Sequence, residues 1–335
     1  VTEIDEVLRR IRAITDPALR AEVDRLEDPT MRHIARYQMG WVDAEGAPSD
    51  ASGKAIRPAF TVLAAQAVGA APETALPAAV AVDLVHNFSL LHDDVMDRDV
   101  SRRHRPTGWV VFGTGQAILA GNAMLTVAFD ALTRTGNAPC LPTLFSSVQA
   151  LISGQSQDLA LEEREGVTLD EVITMEAGKT AALLSCATAL GAEIARASQE
   201  SITALAAFGH DVGIAFQLVD DILGINGDPA RTGKSASSDV RAGKRSAPIV
   251  AALTGPSSAS ARLADLLAGG PPKTDEDVDL ATTLIVEAGG LDWASRAADS
   301  HLRSALSHLD TLDAGGAPAI TELAGLARYV VDRDR

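Results

Sequence analysis

The chain has 335 residues, 46% hydrophobic and only 4% aromatic, with a formal net charge of −16. That apolar content excludes a disordered chain, and the length allows a sizeable buried core built mostly of Ala, Leu, Val and Ile, which favours helix over strand. The acidity excludes nucleic-acid binding through the general surface, while a local basic pocket or a bound cation still allows small anions.

Helical periodicity runs through nearly the whole chain. Leu8, Ile11, Ile14 and Leu19 open an N-terminal helix or helix pair, and Pro29-Thr30 starts another over 31–42. A polar loop, 43–52, precedes a helix that has Pro58 in its first turn and ends near Val68. The next helix spans about 73–99, followed by a basic turn at 101–105 and a helix from Pro106 to about Thr135. Further helices cover 141–164, 169–196 and 200–223. The polar stretch 224–245 reads as an ordered functional loop or a lid, and helices resume from 247 with breaks near 255, 270 and 316. No strand, repeat or linker stands out, so the expectation is one all-α domain of about twelve helices. No run of about 18 apolar residues appears, because Glu73, Asp83, Asn122 and Asp130 interrupt the long apolar stretches, so no membrane span is expected. The charged, amphipathic start of the chain does not read as a secretory signal. Cys140 and Cys186 lack metal-ligand or disulfide-framework spacing and fit core positions in a reducing cytoplasm.

Two helix ends carry paired aspartates. In His92-Asp93-Asp94-Val95-Met96-Asp97 the carboxylates of Asp93 and Asp97 are one turn apart on one face. Like charges at that spacing repel and call for a cation, and hard carboxylate oxygens suit Mg²⁺, which is often shared with substrate phosphates. The second pair, Asp220-Asp221, also closes an apolar helix, but Gly224 stands where a third carboxylate would lie. Cations cluster nearby in sequence. Arg102 and Arg103 either compensate the first cluster or grip phosphate. Lys54 and Arg57 flank the positive end of a helix, where anions bind. Lys179, between Ala- and Leu-rich flanks, needs an anion or carboxylate partner. Lys234 follows a glycine in the polar loop, and His86 on its apolar helix reads most simply as a satisfied core histidine.

Together these stretches (53–58, 84–107, 154–159, 178–180, 216–221 and 232–248) resemble the trans-polyprenyl diphosphate synthase family, and the wording of 86–91 and 102–107 is most similar to actinobacterial geranylgeranyl diphosphate synthases. The resemblance implies an isoprenoid-synthase-type helical bundle around a deep central cavity, a single domain over 1–335 with its motif-bearing core at 53–248, and a cytoplasmic homodimer. It implies condensation of isopentenyl diphosphate with an allylic diphosphate. Asp93 and Asp97 would hold two Mg²⁺ ions and Asp220 a third, with Asp94 and Asp221 in support. Arg102, Lys179 and Lys234 would hold the allylic diphosphate, and Lys54, Arg57, His86 and Arg103 isopentenyl diphosphate. Thr180 and Gln217 would line the reacting centre, and Lys244 would help close the loop. Phe88 and Ser89, five and four residues before the first aspartate, would limit product length, with Phe88 pointing to geranylgeranyl diphosphate and farnesyl diphosphate next. Ala55, Asn122 and Gly224 depart from the family's usual residues. A terpene cyclase of related fold and a non-catalytic partner subunit stay open as alternatives.

Overall fold

The computed structural model describes residues 3–162, 164–227 and 237–332. The fold is all-α: among the described residues, paired strand is confined to a hairpin at Ser101–Arg102 and Arg105–Pro106. The residues form two compact units.

The first unit comprises residues 3–148, Cys186–Ala206 and Thr311–Leu326. Helix α1 (Glu3–Val23) buries Val7, Leu8, Ile11, Leu19 and Val23 along one stripe. Asp28 caps α2 (Pro29–Gln38), accepting from the backbone of Thr30 at 2.8 Å and Met31 at 3.0 Å, with Pro29 in the first turn. Helix α3 (Ile56–Ala67) and α4 (Leu76–Met96) are apolar almost all round and accordingly buried. The helix expected from Pro106 to Thr135 is instead a strand residue, a short α5 (Gly108–Phe112) and α6 (Thr114–Arg134). Gly113, at φ +88°, breaks the chain there. Helix α6 presents Ala117, Ala120, Gly121, Met124, Ala128 and Ala131 in a buried stripe and packs along α4. Small residues let the backbones approach: a Cβ at Gly121 would sit 2.5 Å from His92 Nε2.

The second unit comprises Gln149–Ser185, Ala207–Asp310 and residues 327–332. Its later helices, Ala247–Thr254, Ser258–Leu267 and Asp275–Glu287, close a core that includes Ile249, Leu263, Val278, Leu284 and Ile285. The segment expected as one helix over 169–196 is α8 (Leu169–Glu176), a π-helical turn (Ala177–Ala181) and α9 (Ala182–Ile194). Helix α10 (Gln199–Asn226) runs three residues past its expected end.

The membrane expectation needs correction. Pro72–Met96, Thr114–Arg134 and Gln199–Asn226 are each long and apolar enough to span a bilayer. Single charges such as Asp83 do not lower an 18-residue average enough to exclude them. Their most apolar windows are 67%, 44% and 50% buried by the fold itself.

Candidate active site

In the first unit, α4 ends in the aspartate cluster. Its last turn closes with Asp97 N donating to Asp93 O at 2.8 Å, and Arg98 then terminates the helix at φ +56°. Asp93 and Asp97 are half-buried on one face. Asp94 turns the other way. It is only 1% exposed and accepts from Arg102 Nε at 2.6 Å. Burial pushes Asp94 up to about 6 against the pull of Arg102. Arg102 also lies 3.7 Å from Asp99. The charge-compensating reading of Arg102 is therefore the one visible in its contacts.

Beside it is a basic cavity of about 90 Å³ lined by Lys54, Arg57, His86 and Arg103, with Asp16 and Asp83. All four residues expected to hold isopentenyl diphosphate meet there. Arg57 Nη1 lies 3.0 Å from His86 Nε2. A guanidinium only donates, so Nε2 accepts and the ring proton sits on Nδ1. Burial, then the charges of Arg57 and Arg103, hold His86 well below its ordinary range, so the ring is neutral. Gly53 leaves room for Arg103, whose guanidinium would lie 3.1 Å from a Cβ at that position. Phe88, 5% exposed, packs edge-on to His92 with centroids 4.7 Å apart. The Ser89 hydroxyl donates to the carbonyl of His86 at 2.8 Å, within its own helix.

In the second unit, α7 (Leu141–Glu162) meets the π-helical turn at its two glycines. A Cβ on Gly154 would lie 2.2 Å from Lys179 N, and one on Gly178 would lie 2.8 Å from Ala150 O. That approach pairs Lys179 with Asp158, the carboxylate partner its surroundings demand. Thr180 Oγ1 donates to Gln217 Oε1 at 2.7 Å, and Gln217 Nε2 donates to Asp221 Oδ1 at 2.7 Å. Ala247 N donates to Asp221 Oδ2 at 3.2 Å. Four expected residues, Lys179, Thr180, Gln217 and Asp221, are thus fixed in two short networks. Burial pushes Asp221 up to about 7. Its neighbour Glu176, 2% exposed, is raised well above the carboxylate range by burial and by Asp221, so the two hold a proton between them. Asp220 is half-buried. A Cβ on Gly224 would lie 2.2 Å from Asp239 Oδ2, so the place of the missing third carboxylate side chain is filled by another carboxylate. Lys244 N donates to Asp239 O at 3.0 Å. Lys234 and Asp228 lie outside the described residues.

Sequence reasoning missed Asp83, Asp158, Glu176 and Asp239. A charge inside an apolar helix was the available signal for the first and third. Among the described residues, no three His, Cys, Asp or Glu side chains form a ready metal cage. Mg²⁺ takes one or two carboxylates and completes its octahedron with water and substrate phosphate. Asp93 and Asp97 fit that habit, being hard oxygen donors one turn apart at an accessible helix end.

Residues 47–285 match the family model described as polyprenyl synthetase. A (2E,6E)-farnesyl diphosphate synthase of Mycobacterium tuberculosis is 43% identical over 98% of this chain and 92% of its own length. A geranylgeranyl diphosphate synthase of the same organism is 42% identical over 96% of this chain and 92% of its own. The crystal structure of a polyprenyl synthetase from Streptomyces coelicolor superposes with a TM-score of 0.92 at 43% identity, covering 98% of this chain and all of that one.

Proposed function

The chain belongs to the polyprenyl synthetase family, and from that we propose that it condenses isopentenyl diphosphate with an allylic diphosphate to make a short-chain all-trans prenyl diphosphate. The observation that carries this reading is a basic cavity lined in part by α4, whose C-terminal end is aspartate-rich. Lys54, Arg57 and Arg103 supply the cations for isopentenyl diphosphate, and neutral His86 holds Arg57 in place. Asp93, Asp97 and Asp220 are the residues that would hold Mg²⁺, which members of the family use. When bound there, Mg²⁺ supplies charge neutralisation of the leaving diphosphate. Arg102, paired with Asp94, and Lys179, paired with Asp158, are the cations that would hold the allylic diphosphate. Lys234 and Lys244 join them in this reading. Thr180 and Gln217, hydrogen-bonded to one another, would line the reacting centre, and buried Phe88 would help to keep water from an allylic cation. The nucleophile is the substrate's own double bond, so no Ser, Cys or His nucleophile is required.

For product length we favour geranylgeranyl diphosphate, because bulky buried Phe88 lies about one turn below the ion-binding aspartates and opposes longer chains. Farnesyl diphosphate is the second reading, supported by the 43% identical relative. The cavity's three cations disfavour a terpene cyclase, which has no isopentenyl diphosphate to bind. We also read the chain as one synthase domain in a cytoplasmic homodimer. Exposed Ile118 and Leu119, with Phe129 stacked on half-exposed Phe145 at 4.4 Å, support a self-association face. The test is incubation with Mg²⁺, isopentenyl diphosphate and each of the dimethylallyl, geranyl and farnesyl diphosphates, with products resolved by mass. Linear products that incorporate isopentenyl units uphold the reading. A cyclic hydrocarbon, or no turnover, overturns it.

A further inference from the structure

The basic cavity contains a group that binding of an anion does not explain. Asp83 lies in the same cavity as Lys54, Arg57 and Arg103, one turn before His86 on α4. A carboxylate beside the cations that receive a diphosphate opposes the incoming charge. It is not a stray surface group, because it is half-buried and lines the cavity wall with those cations. The charged groups that face it come from four elements: Asp16 on α1, Lys54 and Arg57 at the start of α3, His86 on α4 itself, and Arg103 in the hairpin. Helix α5 carries no charged residue, and those of α6 lie at its far end, where Arg134 pairs with Asp130.

With His86 neutral, three cations face two carboxylates in the cavity. We propose that Asp83 is the exchangeable counter-ion of this cavity, ionised and balancing Arg57 and Arg103 when it is empty, and protonated when a diphosphate takes over those cations. This rests on reading the cavity as the isopentenyl diphosphate subsite and adds to it a positioning residue and a proton linkage. Burial already pushes Asp83 up to about 6, against the pull of Arg57 and Arg103. A diphosphate adds negative charge within the cavity and raises it further. The sign follows. Below about pH 6 the carboxyl is neutral with or without ligand and has no effect. Between that value and the higher one of the complex, binding takes up a proton, so affinity falls with rising pH by up to about tenfold per unit.

The experiment is calorimetric titration of the full-length protein with isopentenyl diphosphate at pH 6 to 8, in two buffers of different ionisation enthalpy, for wild type, Asp83→Asn and Asp83→Glu. The ligand's own ionisation is common to all three, so the difference between wild type and Asp83→Asn counts the Asp83 proton. Wild type is expected to take up as much as one proton more than Asp83→Asn, and Asp83→Asn to bind about tenfold tighter at pH 8 while matching wild type near pH 6. Asp83→Glu restores the linkage. In steady state the shift appears in KM for isopentenyl diphosphate and not in kcat. Equal proton counts in wild type and Asp83→Asn, or weaker binding by Asp83→Asn at pH 8, overturn the proposal while leaving the subsite intact. Absence of wild-type binding at any pH, or binding unaffected by Arg57→Ala, overturns the subsite and the proposal with it.

Discussion

Gly154→Ala isolates the contact that places Lys179. The added methyl would sit 2.2 Å from Lys179 N and 2.7 Å from Gly178 C, both backbone atoms. Ordinary contact needs more than 3.4 Å, so α7 and the π-helical turn must separate by over 1 Å at the crossing. Overpacking of this kind costs about 1–3 kcal/mol. Unfolding entropy of about 2 cal/mol/K per residue turns that into a fall in Tm of roughly 1–4 °C for a chain of this size. The loss of function should be larger than the loss of stability. A displacement of 1 Å at a positioning residue costs about a hundredfold in rate, and it should fall on kcat with the allylic substrate while KM for isopentenyl diphosphate is little changed. Differential scanning calorimetry and steady-state kinetics measure both. Gly115→Ala is the control: nothing lies within 4 Å of its Cβ position on α6, and it should be neutral or slightly stabilising, by about 0.5–1 kcal/mol. If Gly154→Ala retained wild-type Tm and kcat, the glycine crossing would not be what sets Lys179.

Other expectations follow from single contacts. Phe88→Ala removes the bulky buried side chain before the aspartates and should lengthen the product; an unchanged mass profile would show that Phe88 does not set product length. Gly224→Asp puts its Cβ 2.2 Å from Asp239 Oδ2 and should lower Tm, and Gly224→Asp combined with Asp239→Ala should recover at least half of the loss in the same melting assay. Asp211 accepts from His301 at 2.9 Å and lies 3.8 Å from His210, and hydrogen bonds from His210, His301 and Ser304, outweighing its burial, hold its carboxyl far below the usual range. The folded state therefore favours the ionised form, and the benefit is complete above pH 4 and fades as pH falls further. Asp211→Asn should lower Tm at pH 7, and the gap should narrow only below about pH 4; a gap that widened there would reverse the assignment.

Much of the site was legible because its chemistry is local. Asp93 and Asp97 share a face through a spacing of four, and Lys179 announced its need for a partner by the apolar residues around it. What the partner would be was not legible, since Asp158 lies 21 residues earlier and meets Lys179 only through the crossing of two glycines. Asp83 was visible only as an interruption in an apolar stretch. The same observation carries more weight once α4 is seen to be buried: a carboxylate on such a helix is retained only if cations or a function answer its desolvation. His86 was read both as a satisfied core residue and as part of an anion site, and its bond to Arg57 makes the two readings compatible.

The hairpin was missed for a different reason. Two-residue turns of this kind favour Asn-Gly because both residues need positive φ. Here Arg103 and His104 take those positions, at φ +53° and +59°, at a cost of about 1–2 kcal/mol each. Surrounding bonds hold the turn in place. Arg105 Nη2 donates to Val42 O at 2.8 Å and its guanidinium lies 4.2 Å over the Tyr37 ring, Tyr37 donates to Pro106 O at 2.7 Å, and Thr107 donates to Asp99 O at 2.6 Å. The strained turn has a geometric consequence. Arg102 ends a strand and reaches back to Asp94, while Arg103, in the turn, enters the basic cavity. In this turn one adjacent pair of arginines divides between the buried Asp94 carboxylate and the basic cavity, which accounts for a double arginine at a position with no glycine to ease it.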